Sequence, residues 1–134
     1  MFEVSELNVA YGESQVIHDI SLRVAGNESL AIMGRNGMGK TTLLKALIGL
    51  LPTRSGHIRL NGHDITGLPS YKRVSQGLAF VPQGRMVLPF LTVEQNILTG
   101  AEYSGHRSVP ESIYRFFPVL REMKHRNGGN LSGG

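Results

Sequence analysis

The stretch Gly34-Arg35-Asn36-Gly37-Met38-Gly39-Lys40-Thr41-Thr42 constrains this chain more than any other. It fits the pattern G-x-x-x-x-G-K-[ST], a glycine-rich turn that leads from a strand into a helix and wraps an anion. Its neighbours suit that context. Leu30, Ala31, Ile32 and Met33 form a short continuous apolar run, which predicts a strand over 29–33 buried on both faces. Leu43, Leu44, Ala46, Leu47, Ile48 and Leu50 fall where a helix buries a broad stripe, with Gly49 near its end.

The chemistry of such a loop follows from its residue types. A triphosphate brings several negative charges, and the first turn of a helix offers unpaired N–H groups at the positive end of its dipole. Gly34, Gly37 and Gly39 let the backbone take positive φ and approach phosphates without a Cβ in the way, and Asn36 lies between them at the crown of the turn. Lys40 is expected to reach the β- and γ-phosphates as a charged donor. Thr41 is expected to place its hydroxyl on the Mg²⁺ that bridges those phosphates, and Thr42 to contact the α-phosphate or cap the turn.

Composition narrows the alternatives. The 134 residues amount to about one domain. Without cysteine, neither a disulfide framework nor a thiolate metal site is available, which suits a reducing cytoplasm. The five histidines, His18, His57, His63, His106 and His125, lack ligand spacing and read as surface residues. No apolar run is long enough to span a bilayer, and the N-terminus lacks the form of a signal peptide, so the chain reads as soluble. The formal charge of +4 and the pI near 9.8 would suit a nucleic-acid binder. That charge is dispersed, however, and no aromatics interleave with a basic run, so no nucleic-acid partner is expected.

The rest of the chain supplies punctuation. Residues 2–9 alternate as Phe2 and Val4, then shift phase to Leu7 and Val9, which predicts one strand with a bulge or two short ones, closed by Tyr11-Gly12. Tyr11 could stack on an adenine ring or serve as an ordinary turn aromatic. Ile20, Leu22 and Val24 predict a half-exposed strand that the Ala25-Gly26-Asn27 turn pairs with the apolar run as a hairpin. Ile58-Arg59-Leu60 before Asn61-Gly62 gives another strand, and Pro69 with Gly77 brackets a short helix over 70–76. Leu78 to Val81 predicts a second buried strand, with Gln83 at its carboxyl end. There it could orient a metal or an attacking water, or be a plain loop residue. Thr92-Val93-Glu94-Gln95 and Ser108-Val109-Pro110-Glu111 both match a capping box, and Pro118 should break or kink the second helix. Phe116, Phe117 and Leu120 read as packing residues, the alternative being an exposed aromatic pair that forms a docking surface, and the tail from Asn127 reads by composition as a linker or frayed end.

Taken together, Tyr11, the loop at 34–42, Gln83 and the terminal Leu131-Ser132-Gly133-Gly134 resemble the ordered motifs of an ATP-binding cassette (ABC) subunit. The resemblance covers the whole chain. It implies an α/β fold, a P-loop NTPase core of ABC type with a flanking antiparallel β layer and a helical segment before the signature motif. The implied division is 1–83 for the β layer and P-loop core and 84–134 for the helical segment. It implies that Tyr11 stacks on the adenine of ATP, that Gln83 contacts Mg²⁺ and the attacking water, and that Ser132 with Gly134 binds the γ-phosphate held by a second ABC ATPase subunit. Gly34-Arg35-Asn36-Gly37, Asp64 to Pro69 and Phe80 to Arg85 are similar to the cassettes of branched-chain amino-acid and urea importers. Gln83 and Met33 to Gly37 are closer to the urea branch. Membrane permease subunits would then dock on about Arg85 to Glu102, with a periplasmic solute-binding protein engaged indirectly and the cassette peripheral on the cytoplasmic face of the inner membrane.

Members of the family continue from LSGG into Gln, a hydrophobic strand ending in Asp-Glu, and a histidine, none of which this sequence contains. The resemblance therefore implies the N-terminal part of one cassette, truncated before the groups that would support hydrolysis. The alternative is a module that binds ATP without hydrolysing it. A P-loop kinase or GTPase is a third class, in which Tyr11 and the LSGG tail would have no task.

Overall fold

The phase shift near the N-terminus becomes a bulge. In the computed structural model, which describes residues 1–84 and 86–131, β1 (Phe2–Tyr11) runs as one strand whose register against β2 (Ser14–Val24) slips between Val4 and Leu7. Glu6 takes a positive φ of 50° there, and its N–H donates to the Ser21 hydroxyl at 2.9 Å. The bulge turns both halves of β1 inward, so that Val4, Leu7 and Val9 are all buried.

The chain divides into two units, Met1–Phe80 and Val81–Gly134. The first is built on an antiparallel sheet of order β2-β1-β3-β4, with β3 at Ser55–Leu60 and β4 at His63–Asp64. Helix α1 (Lys40–Ile48) packs against it, and Leu43, Ala46 and Leu47 join Val4, Leu7, Val9, Ile17, Ile58 and Ile65 in one core. The spacing of 43, 46 and 47 puts those side chains on one helix face. Leu44 and Leu50 are exposed, so the buried stripe is narrower than the sequence predicts.

Two predicted strands do not form. Residues 28–33 and 78–82 carry no strand assignment, and Leu30, Ile32, Met33 and Val81 are exposed, Met33 at 88%. An apolar run becomes a strand only when a neighbour completes its hydrogen-bond ladder, and among the described residues neither run has one. For the same reason the hairpin expected across Ala25-Gly26-Asn27 is absent. The observed partner of β2 is β1, through Tyr11 and Ser14.

Helix α2 (Ser70–Ser75) starts after Pro69 and carries the only buried charged side chain among the described residues, Arg73. Its guanidinium is 2% exposed and donates to four backbone oxygens: Nε to Leu68 (2.8 Å), Nη1 to Ala46 (2.9 Å) and Leu47 (2.7 Å), and Nη2 to Thr66 (2.6 Å). Ala46 and Leu47 belong to the last turn of α1, whose carbonyls have no partner within the helix. Burial lowers the Arg73 pKa from its ordinary value, and the nearby Asp64 charge opposes that shift.

Asp64 is itself held in the charged form. Thr66, through its side chain and its N–H (2.8 Å), lowers the Asp64 pKa from 3.8 to about 2, with a further contribution from His57 at 3.0 Å. A carboxylate whose pKa is depressed on folding adds stability above its unfolded pKa and loses it as pH falls through the folded value. Unfolding midpoints in urea should therefore drop between pH 4 and pH 2, and Asp64→Asn should flatten that drop. An equally steep decline in the variant would assign it to other carboxylates. All five histidines are exposed, as predicted.

The second unit is helical: α3 (Val93–Thr99), a 3-10 turn at Glu102–Ser104, α4 (Glu111–Phe116), α5 (Pro118–Glu122) and a 3-10 turn at Gly128–Asn130. The first predicted capping box forms in full. The Thr92 hydroxyl accepts from Gln95 N–H (3.2 Å), and the Gln95 side chain accepts from Thr92 N–H (2.9 Å). Thr92→Ala should cost about 1 kcal/mol in urea denaturation, whereas Thr92→Ser should cost almost nothing.

The second box does not form. Proline restrains the residue before it to extended conformations, so Val109 cannot enter a helix capped by Ser108, and α4 begins instead after Pro110 with no side-chain cap. Pro118 separates α4 from α5, as predicted. Phe117 is drawn out to φ −133° before it, leaving Phe116 and Phe117 exposed rather than packed. The tail is ordered further than its composition predicts: residues 128–130 form a turn and Gly128 is buried.

Candidate nucleotide site

The loop forms at the N-terminus of α1. Gly37 and Gly39 both take φ 84°, the left-handed region that favours glycine. Gly39 is the N-cap, and Leu43 N–H donates to its carbonyl at 2.8 Å. A Cβ at Gly39 would lie 2.9 Å from Ile17 Cδ1 and 3.1 Å from Val16 Cγ1, so strand β2 forms the floor of the loop. No side chain caps this helix and no acidic residue occupies its first turn, which leaves the N–H groups and the positive dipole end available to an anion.

Lys40 curls back over the loop. Its Nζ donates to Gly34 O at 2.7 Å and Arg35 O at 2.8 Å, which holds the ammonium inside the turn with a third N–H to spare. Gly34, Asn36 and Thr41 are exposed and Thr42 is half-buried. Tyr11 is 49% exposed at the end of β1. Its cross-strand partner Ser14 lies two residues before Val16, which ties the hairpin tip to the loop floor.

The loop residues and the hairpin that carries Tyr11 thus come together in the first unit. Gln83 is exposed on irregular backbone in the second unit, and the core strand expected to present it is not formed. Ser132 and Gly134 lie outside the described residues, as does Arg85.

The model of the ABC transporter family matches residues 17–134. The chain belongs to that family. A branched-chain amino acid transport ATP-binding protein of Pseudomonas aeruginosa, BraG, is 35% identical over the whole of this ABC chain and 59% of its own length. A probable counterpart in Archaeoglobus fulgidus, LivF, is 38% identical over the whole chain and 58% of its length. A solved ATP-binding subunit of an ABC transporter superposes with a TM-score of 0.79 at 28% identity, covering 98% of this chain and 56% of that one. The chain thus spans about three-fifths of the length of these relatives.

The ABC loop fits a nucleotide phosphate on observations of this structure: left-handed glycines at 37 and 39, the second seated tightly on β2, and an uncapped, acid-free helix start with Lys40 above it. Mg²⁺ usually keeps several waters and is held through phosphates and one or two protein oxygens. Exposed Thr41 can supply one such oxygen. Among the described residues, no group of three His, Cys, Asp or Glu side chains could hold a metal. Sequence reasoning missed the loop floor at Val16 and Ile17 and the carbonyl anchors of Lys40. The apolar pair Val16-Ile17 was the available signal for the floor.

Proposed function

We propose that this ABC chain belongs to an ATP-binding subunit of an importer, which couples ATP binding and hydrolysis to uptake of a small polar solute. The observation that carries the reading is the left-handed Gly39 at the start of α1 with Lys40 Nζ held inside the turn. In this role the N–H groups of the first turn, with Gly34, Asn36, Gly37 and Thr42, cradle the phosphates. Lys40 shifts its hydrogen bonds from loop carbonyls to the β- and γ-phosphates, which is why it is preorganised there. Thr41 offers a hydroxyl to Mg²⁺, Tyr11 an aromatic face to adenine, and Gln83 an amide that orients water and metal. Ser132 and Gly134 complete the site of a second subunit, so that two copies enclose two nucleotides.

Met86, Val87, Leu88 and Phe90 are exposed, Phe90 at 91%. We assign this segment, within about Arg85 to Glu102, as the surface that meets the membrane permease. No helix among the described residues is long and apolar enough to cross a membrane, which suits a subunit held peripherally at the cytoplasmic face through that contact. The likeness to BraG and LivF favours a branched-chain amino acid as the solute, while Gln83 and the Met33 to Gly37 stretch favour urea.

ATP binding is tested by titrating the protein with ATP and GTP in the presence of Mg²⁺. Selective binding of ATP supports the reading, and preference for GTP would overturn it. Uptake of labelled leucine and labelled urea by cells with and without the gene then decides the solute.

A further inference from the structure

The four carbonyls around Arg73 do not exhaust it. A guanidinium carries five N–H groups, and the bonds to Leu68, Ala46, Leu47 and Thr66 use Nε, both donors of Nη1 and one of Nη2. One Nη2 donor is left. Arg73 is in ion-pair contact with no carboxylate among the described residues. The carboxylate whose charge it feels, Asp64, is engaged by Thr66 and His57. Arg73 also lines a cleft of about 430 Å³ in the first unit, between the end of α1 and the start of α2. Leu50, Leu51, Pro52, Leu68 and Pro69 make its apolar walls. Gly49 holds the guanidinium in place, since a Cβ there would lie 2.8 Å from Arg73 Nε and 3.1 Å from Leu68 O. A cleft of this size, apolar but for a few fixed polar groups, has the form of a small-molecule site.

A buried charge without a counter-ion is costly, so the cleft favours an anion. The Thr66 hydroxyl is already engaged by Ile58. That leaves one guanidinium donor and the hydroxyl of half-buried Thr53, enough for the two oxygens of a carboxylate but not for the three of a phosphate. The walls select an aliphatic body. We propose that this cleft binds a small aliphatic carboxylate, and that its occupation weakens ATP binding at the loop. A carboxylate is a stronger acceptor than a backbone carbonyl, so it draws the guanidinium away from Ala46 and Leu47 and loosens the last turn of the helix that begins with Lys40. The two ligands then weaken each other by the same factor. The effect on ATP rests on the nucleotide reading of the loop, whereas the cleft itself does not.

The test titrates isovalerate into the full-length subunit at neutral pH, following backbone amide shifts and ATP affinity together. Loss of Arg73 would also disturb the carbonyls of α1, so other residues of the cleft are varied. In the wild type, saturable shifts should centre on 49–53 and 66–69. Isovaleramide, which lacks the charge, and acetate, which lacks the body, should each bind at least tenfold more weakly. Gly67 takes no left-handed φ and a Cβ on it meets open space, so Gly67→Leu should fill the cleft and weaken isovalerate at least tenfold. Thr53→Val should weaken it at least threefold, with recovery in Thr53→Ser. Both variants should keep ATP affinity within twofold when isovalerate is absent. Saturating isovalerate should weaken ATP at least twofold in the wild type and not in Gly67→Leu. The site is overturned by an absence of saturable shifts at 49–53 and 66–69, by equal binding of isovaleramide, or by affinity within twofold of wild type in both variants. Competition with ATP that persists in Gly67→Leu would place isovalerate at the phosphate loop and overturn the regulation. If ATP affinity ignores isovalerate while the shifts saturate, the regulation falls and the site stands. If the wild type binds no ATP at all, the nucleotide reading fails and takes the regulation with it, while the shifts still decide the cleft.

Discussion

Arg73→Met should destabilise the first unit by about 4 kcal/mol. The side chain occupies a dry position between α1, α2 and the 66–68 turn, and its four acceptors come from both ends of that junction. Methionine fills similar volume but donates nothing. Its substitution takes the partner from the buried Leu47 carbonyl and from the Thr66 and Leu68 carbonyls, at about 1–3 kcal/mol for each that stays dry, while Ala46 O keeps the Gly49 N–H at 3.1 Å. The summed loss of about 4 kcal/mol is large against a domain stability of roughly 5–15 kcal/mol. Urea denaturation reads it as a shift of midpoint with unchanged slope. Arg73→Lys should recover less than half, because an ammonium lacks the planar fork that reaches Leu68, Thr66 and the end of α1 together. A shift below 1 kcal/mol for Arg73→Met would show that water replaces the guanidinium.

Lys40→Ala should have the opposite profile, leaving stability intact while removing nucleotide affinity. Its acceptors, Gly34 O and Arg35 O, lie in exposed residues and can turn to water when the ammonium is gone. Against a phosphate, however, each charged hydrogen bond is worth about 1.5–3 kcal/mol, so losing one or more should weaken ATP binding at least tenfold. Calorimetric titration with MgATP, paired with a urea curve on the same sample, separates the two effects. Unchanged affinity would remove Lys40 from the site, and a collapsed urea midpoint would make its role structural.

These two residues mark what a sequence discloses. Lys40 is legible because the loop is a local object: glycines with positive φ, a cation and a helix start lie within nine consecutive residues. The bulge in β1 and the cap on α3 are local in the same sense. Arg73 was not legible, since an arginine in a short helix looks like any solvated residue until the carbonyls of α1, 26 and 27 positions away, are placed beside it. The runs at 29–33 and 78–81 misled for a related reason. Apolar composition states that a segment can be buried, whereas a strand also needs a neighbour. The Ser108 box fails because Pro110 outranks it, a conflict visible in the sequence. Gly128 reads as linker by composition and gains its place only from the carbonyls of Leu91 and the side chain of Val87.

The buried guanidinium also changes how α1 acts at its far end. A helix ordinarily offers an anion its positive pole with the negative pole subtracting at the other terminus. Nine residues make α1 about 14 Å long, so for a phosphate some 4 Å from the first turn the distant pole would cancel roughly a fifth of the attraction. With Arg73 seated on the Ala46 and Leu47 carbonyls, that subtraction is neutralised. Seen from the loop, α1 behaves as a single positive charge rather than a dipole, and its pull on an approaching anion falls off with distance more slowly.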